Sequence, residues 1–396
     1  MAASPDSPVL IAGGGIGGLA TALALSKSGI PSHVLERRAD FSETGAGIQI
    51  GPNGARILEA IGAAPWLREQ VAAPDMLQVR DALTGARITS MPLGDWIAKR
   101  HGAPYWTAHR QDLHAALLQA ARASPSITLT TGAMAEAATQ TREGVSLRCA
   151  ECGTALEGKA LIAADGLWST LRARHFDAAP ARPAGKNAYR TVVPVSSLPE
   201  GLAINDVHIW LTAGAHVVHY PVRAGREHAF VIILDEPHHA TGWSTPVEAA
   251  FVCARAQRLA PSLRVLLEAG EGWRVWSLYE LAMPQTWSQG RMALLGDAAH
   301  PVLPFLAQGA VLALEDAIVL ARELSRDTGS VSEALTRYED RRRPRALRVQ
   351  GASRRNGRIY HLSGALARAR DNVLRRSPAT LLMRQYDWLY GWKPPA

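Results

Sequence analysis

Three glycines, Gly13, Gly15 and Gly18, followed by an acid at Glu36, carry the first chemistry legible in the chain. A bound phosphate needs backbone N–H groups at close range, and a helix N-terminus supplies them together with a partial positive charge. Gly13 permits a sharp turn, Gly15 keeps side chains away from a pyrophosphate, and Gly18 lets the helix pack on its strand. Glu36 follows Gly18 at close to the spacing of a carboxylate that binds ribose hydroxyls. Arg37, beside it, is counted with the same set. A second feature is the lone carboxylate of Asp297 at the end of the apolar run Met292–Leu295, with Asp165-Gly166 ending a similar run. After Asp297 come a loop with two prolines and then Gln308, Gly309 and Ala310, which open a nearly all-apolar helix. Asp297 can accept a hydrogen bond from a ligand hydroxyl. The helix start can face a group that gains negative charge.

These residues need elements to hold them. Val9–Ala12 suits a parallel strand buried on both faces. The apolar spacing predicts a helix over Ile16–Ser28, closed by Gly29 and barred from continuing by Pro31. A second strand, His33–Leu35, delivers Glu36 at its carboxyl end. Further on, Arg110 precedes an amphipathic helix with Leu113 and Leu117 at helical spacing. In open α/β sheets, ligands sit beyond the carboxyl ends of the strands. The glycine motif alone points to an adenine dinucleotide, FAD or NAD(P). Segments from distant parts of the chain that all end in carboxylates favour a long, fully embraced FAD.

Bulk properties narrow the class. The chain has 396 residues, 47 % of them apolar, which is enough core for two or three domains. No apolar stretch is long enough to cross a bilayer, and no basic segment precedes the first apolar run, so neither a membrane span nor a signal peptide is expected. A cytoplasmic protein follows as the expectation. Three cysteines make no disulfide framework; Cys149 and Cys152 form a C-x-x-C that reads as an ordinary hairpin tip. The net charge of +8 is local: residues 337–396 hold 15 Lys+Arg against 4 Asp+Glu. The stretch "RYEDRRRPRALRVQ" reads as a solvated helix face with i,i+4 pairing, and no aromatic platform accompanies it, so no nucleic-acid partner is expected.

Residues 186–284 change texture. Runs such as "HVVHYPV" and "EHAFVIILDE" read as strands of a mainly antiparallel sheet, and "GWRVWSLYELAMPQTW" as another strand pair. Period-2 alternation puts His216, Val218 and Tyr220 on one face and His219 on the other. No second glycine motif with strand–helix context is present. The Tyr- and Trp-containing tail predicts a helix docked on the body or a subunit contact, and a monomer or homodimer is expected.

Taken together, the GxGxxG with Glu36, "GAGIQIGPN" (45–53), the Arg110 segment, "AADG" (163–166) and "GDAAHPVLPFLAQGA…ALEDA" (296–317) give the chain a clear resemblance. It resembles the single-component FAD-dependent aromatic hydroxylases, the group A flavoprotein monooxygenases, and most closely the salicylate hydroxylase-like branch. The resemblance implies an α/β fold: a Rossmann-like FAD-binding domain, an inserted substrate sheet and C-terminal helices. It allots residues 1–75, 105–185 and 285–345 to the FAD-binding domain, 76–104 and 186–284 to the substrate domain, and 346–396 to a helical tail. It implies contacts to FAD from Arg110, Asp165 and Asp297, and a helix start at Gln308-Gly309 facing the flavin pyrimidine ring. Pro304 and Phe305 would fix the loop beside the isoalloxazine. His216 and Tyr220, with Gln49 facing the same cavity, become candidates to bind and deprotonate a substrate hydroxyl. Some relatives carry a Gln where this chain has Pro304, so the position hydroxylated does not transfer. The implied reaction uses NAD(P)H, bound transiently, and O₂ to hydroxylate an aromatic acid through a flavin hydroperoxide. The substrate would be a hydroxybenzoate, salicylate or hydroxypyridine carboxylate, with or without loss of the carboxylate. The alternatives are an epoxidase or halogenase acting on a larger natural product, and a non-catalytic redox-sensing flavoprotein.

Overall fold

The computed structural model describes residues 7–394 except 43–44, 142, 151–152, 154, 200–204, 238–243 and 327–328. The short runs Val9–Ala12 and Ala160–Ala163 have no polar face, and both are buried throughout. Such runs fit only the middle of a sheet covered on both sides. There they pair in parallel, Leu10 opposite Leu161. The sheet has six strands in the order Ser288–Gln289, Met292–Leu294, Ala160–Ala163, Val9–Ala12, Ser32–Leu35 and Ile127–Thr130. All neighbours are parallel except the first pair. Register places Ala12 beside Ala163, and Ala163 beside Leu294. Three strand ends far apart in sequence therefore open on one crevice. Helices Ile16–Lys27 and Gly309–Leu324 start there and pack on each other. Gly29, just past the first helix, takes the left-handed φ of +72° expected of a helix terminator.

An eight-stranded sheet forms the second layer. Its order is Thr245–Pro246, Arg274–Glu280, Arg182–Pro194, Glu227–Asp235, Ala215–Val222, Val207–Thr212, Met76–Asp81 and Arg87–Pro92. Every pairing is antiparallel except Val207–Thr212 with Met76–Asp81. The segment "GWRVWSLYELAMPQTW" supplies one strand, Arg274–Glu280, where the sequence predicts a pair. Pro284, which has no N–H to give a ladder, lies in the irregular stretch that follows, and the chain next pairs at Ser288–Gln289 in the other sheet.

The C-terminal segment is helical. Val331–Tyr360 spans 30 residues and starts with a Ser330/Glu333 capping box. Gly364–Arg376 follows. The basic stretch within the long helix is not simply a solvated face. The Arg342 side chain is 1 % exposed and paired with Glu315 and Asp316, which are fully buried. Helical spacing turns Arg342 inward while Arg341 and Arg348 stay exposed, and the guanidinium meets two carboxylates that apolar neighbours could not satisfy. Cys149 ends the strand Val145–Cys149 and is disulfide-bonded; Cys152 lies outside the described residues. Among the described residues, no helix is long and apolar enough to cross a membrane.

Candidate active site

The glycine-rich turn is shaped by close approach. A Cβ on Gly13, whose φ is +113°, would fall 2.3 Å from the Ala164 carbonyl oxygen of the neighbouring strand end. One on Gly18 would fall 1.9 Å from the Gly13 oxygen. Among the described residues, none beyond its chain neighbours comes within 4 Å of a Cβ placed on Gly15, so this position opens onto free space. Gly15 is also the N-cap of helix Ile16–Lys27, and no side chain caps the helix and no acid occupies its first turn. The strand end brings Glu36 alongside: its Oε2 accepts from Gly14 N at 2.9 Å and its Oε1 from Arg38 N at 3.0 Å.

The opposite wall comes from residues 296–310. Asp297 lies in a short 3-10 turn, Gly296–Ala298, and a second one, Pro304–Leu306, carries Pro304 and Phe305. Gln308 is the N-cap of Gly309–Leu324, again without a side-chain cap or an acid in the first turn. Carboxylates behind this wall hold it in place. Asp316 Oδ2 accepts from Gly296 N at 3.0 Å and sits 2.5 Å from His300 Nε2. Asn53 donates to Gln308 Oε1 at 3.0 Å and to Glu315 Oε1 at 2.8 Å. Burial alone would raise the Asp316 carboxyl, but His300 and Arg342 outweigh it and hold the group at about 2. The "ED" of the apolar helix thus anchors the loop bearing Asp297 and the helix start at Gln308.

Between the walls lies a cavity of about 340 Å³. Gly15, Gln49, Arg110, His216, Tyr220, Asp297, Pro304, Gln308, Gly309 and Ala310 all line it. Glu36 and Arg37 are not on this lining; Arg37 is exposed beyond the strand end. Asp165 is not on it either. Its Oδ2 faces Leu171 N at 3.4 Å, at the start of helix Thr170–His175, while Ala164 and Gly166 on either side face the cavity. The segment therefore meets the cavity through the residues flanking Asp165.

The strand Ala215–Val222 presents His216, Val218 and Tyr220 to the cavity. His219 points to the other face, stacked on His208 with ring centroids 4.5 Å apart. Burial pushes the Tyr220 hydroxyl up to about 12, against the opposing influence of Arg190 and a hydrogen bond with Gln49. Tyr220 stays protonated at neutral pH. The other end of the Gln49 amide, Oε1, accepts from the Tyr105 hydroxyl at 2.5 Å. Burial, then His361 and Lys186, drive His216 well below the ordinary histidine value, so it is a neutral base. Gly47 makes room for this arrangement: a Cβ there would lie 2.5 Å from the Tyr220 ring.

Sequence reasoning missed Arg190 and Trp276. Arg190 lines the cavity, its Nε is sealed from solvent without a hydrogen-bond partner among the described residues, and its guanidinium lies 5.3 Å from the Trp276 ring centroid. The strand Arg182–Pro194 shows no pattern that singles out one arginine among its polar residues. Only pairing with Glu227–Asp235 and Arg274–Glu280 turns this side chain toward the cavity.

Comparison with known proteins agrees with this geometry. The model of a family described as FAD binding domain matches residues 6–353. A 3-hydroxybenzoate 6-hydroxylase of Polaromonas naphthalenivorans is 35 % identical over 387 residues, covering 98 % of this chain and 96 % of the relative. The chain is a member of the FAD-dependent aromatic hydroxylases. Among solved structures, HpxO of Klebsiella pneumoniae in complex with FAD and uric acid superposes with a TM-score of 0.84. It is 26 % identical, covering 96 % of this chain and 95 % of HpxO. A salicylate hydroxylase substrate complex has a TM-score of 0.80 at 27 % identity, with 98 % of this chain and 99 % of that one covered. The chain's own residues suit FAD: two uncapped helix N-termini open on one cavity, the open face of Gly15 admits a phosphate, and Asp297 offers an acceptor on the same lining.

Proposed function

We propose that this hydroxylase acts on a small aromatic acid that already bears a ring hydroxyl, a hydroxybenzoate being the best fit, with NAD(P)H and O₂ as co-substrates. One observation carries the reading. His216 and Tyr220 leave the same strand face and enter the cavity onto which both helix N-termini open. Val218, Val231, Ile233, Trp276 and Leu278 supply apolar walls for a flat ring. Arg190, with its unsatisfied Nε, and Arg110 give that cavity the positive charge a carboxylate seeks.

Bound FAD would supply the redox chemistry that activates O₂ with electrons from NAD(P)H. Gly15 and the start of Ile16–Lys27 would bind its phosphates, Glu36 and Arg37 would lie at the adenosine end, Asp297 would hold the ribityl chain, and Arg110 and Gln308–Ala310 would lie nearer the ring. Asp165 would act through the backbone it orders. Tyr220, protonated at neutral pH, donates a hydrogen bond to the substrate oxygen. Gln49 and Tyr105 hold the Tyr220 hydroxyl in line. His216 accepts the substrate proton, and a phenolate is a far better ring nucleophile than a phenol. Pro304 and Phe305 shape the loop at the cavity wall and exclude water from the reacting centre. The test is a panel of aromatic acids, 3-hydroxybenzoate and salicylate among them, added to the FAD-loaded protein with NADH or NADPH. A hydroxybenzoate is expected to stimulate NAD(P)H oxidation and emerge carrying one more oxygen. If none does, this reading fails.

A further inference from the structure

The cavity has a polar exit that the reading above does not use. His216 Nδ1 lies 2.8 Å from His361 Nε2, and His361 Nδ1 lies 2.8 Å from Asp235 Oδ1. His216 is buried and His361 shows only 5 % of its side chain, whereas the Asp235 side chain is 40 % exposed. Three hydrogen-bonding groups thus step from the cavity wall to the protein surface. Backbone contacts fix the spacing. His361 is the C-cap of helix Val331–Tyr360, and its carbonyl accepts from Gly214 N at 3.2 Å. The Gly214 carbonyl in turn accepts from Asp235 N at 2.8 Å. One tight turn therefore ties both outer members together.

We propose that His216, His361 and Asp235 form a proton relay that carries the substrate hydroxyl proton to solvent. The inference rests on His216 facing the substrate. Asp235, an acceptor, sets the direction: His361 donates from Nδ1 to it, which leaves Nε2 to accept from His216 Nδ1–H. Nε2 of His216 is then a free base on the cavity side. When it takes the hydroxyl proton, its Nδ1 proton passes to His361 Nε2, the His361 Nδ1 proton passes to Asp235, and Asp235 releases one to water. One proton leaves the substrate and one enters solvent; no bond other than N–H and O–H changes. Among the described residues, few charged and titratable groups face the relay. Lys186 pairs with Asp235 from the adjacent strand, and Tyr360 meets the His216 ring edge-on at 5.2 Å. Phe305 packs against both imidazoles and is apolar. Burial disfavours a resting charge on either histidine, against the opposing pull of Asp235 on His361 and with Lys186 adding to it, and keeps the relay neutral between transfers.

His361 acts through His216, so its test must separate relay from scaffold. In His361→Gln, the side-chain amide can still accept from His216 and donate to Asp235, yet cannot pass a proton. FAD-loaded protein is mixed with 3-hydroxybenzoate in weakly buffered indicator dye, and proton release is followed by stopped flow. His361→Gln is expected to keep the FAD content and the 3-hydroxybenzoate Kd, while release slows roughly tenfold or more and added imidazole restores it. Asp235→Asn is expected to slow release likewise. Equal release rates in wild type and His361→Gln, or a wild type that binds the probe and releases no proton, overturn the relay and leave the hydroxylase reading intact. If 3-hydroxybenzoate and the other hydroxybenzoates neither bind nor stimulate NAD(P)H oxidation, the hydroxylase reading falls and the relay with it.

Discussion

Replacing Arg342 with methionine tests whether buried ions, and not apolar packing alone, hold the wall that carries Asp297 and Gln308. Arg342 donates from Nε to Asp316 at 2.7 Å and from Nη1 to Glu315 at 2.8 Å. Methionine fills most of the stem's space but leaves Asp316 to His300, and Glu315 to Arg345 and Asn53. His300 and Arg342 together take the Asp316 carboxyl from 3.8 to about 2 in spite of burial, a net preference for the ionised form of ~2 kcal/mol. Removing one partner of a buried pair costs about 3–5 kcal/mol, because the remaining charge is left poorly compensated. The surviving partners put the expected loss near the lower end, about 3 kcal/mol. With ~2 cal/mol/K of unfolding entropy per residue, the whole chain carries ~0.8 kcal/mol/K, so Tm should fall by roughly 4 °C. The assay is thermal unfolding by tryptophan fluorescence at saturating FAD. Arg341→Met is the control: its side chain is 37 % exposed and shares Glu323 with Arg326 and Arg337. A partly screened pair of that kind should cost no more than about 1 kcal/mol. The pH dependence has a definite sign. A carboxyl held below its unfolded value contributes stability that is complete above about pH 4 and is lost as pH falls toward 2. The gap between wild type and Arg342→Met should therefore narrow in acid. Equal Tm values for the two variants, or a gap unchanged down to pH 3, would refute the reasoning.

Three other outcomes are expected. Asp297→Ala should lower FAD affinity, read by flavin retention on gel filtration; full retention would remove Asp297 from the cofactor site. In Tyr220→Phe, FAD should stay bound while NAD(P)H oxidation is diverted from hydroxylated product to hydrogen peroxide; unchanged coupling would show that the hydroxyl does not touch substrate. The stacked histidines on the far sheet face should make the fold acid-sensitive. Burial lowers His208 and His228 to about 4 and His219 well below its ordinary value. The unfolded chain then binds protons first as pH drops below 6.5, so stability present above that pH is lost by about 2 kcal/mol for each of His208 and His228 at pH 5. Urea unfolding at pH 7.5 and 5 checks this, and His219→Phe should remove only the share of His219 itself, leaving the loss from His208 and His228 in place; a flat wild-type profile would contradict it.

Local chemistry in this chain is set by residues close together in sequence. Gly13, Gly15 and Gly18 stand within one strand–turn–helix, where steric limits on the backbone are short-range, and the alternation of His216, Val218 and Tyr220 follows from pleat geometry alone. Buried strands ending at Ala12, Ala163 and Leu294 announce themselves by lacking any polar face. Other features depend on which surfaces meet. Arg342 sits in a run that reads as solvated; it is buried because Glu315 and Asp316 face it from a neighbouring helix. Arg190 turns into the cavity only through its strand partners, and His361 reaches His216 only because a 30-residue helix ends against the turn at Gly214. Spacing and composition are enough to set the elements and the residues whose roles depend on neighbours a few positions away. Which charges lose their water is settled only when the layers pack, since desolvation belongs to the assembled surface and not to any residue in isolation.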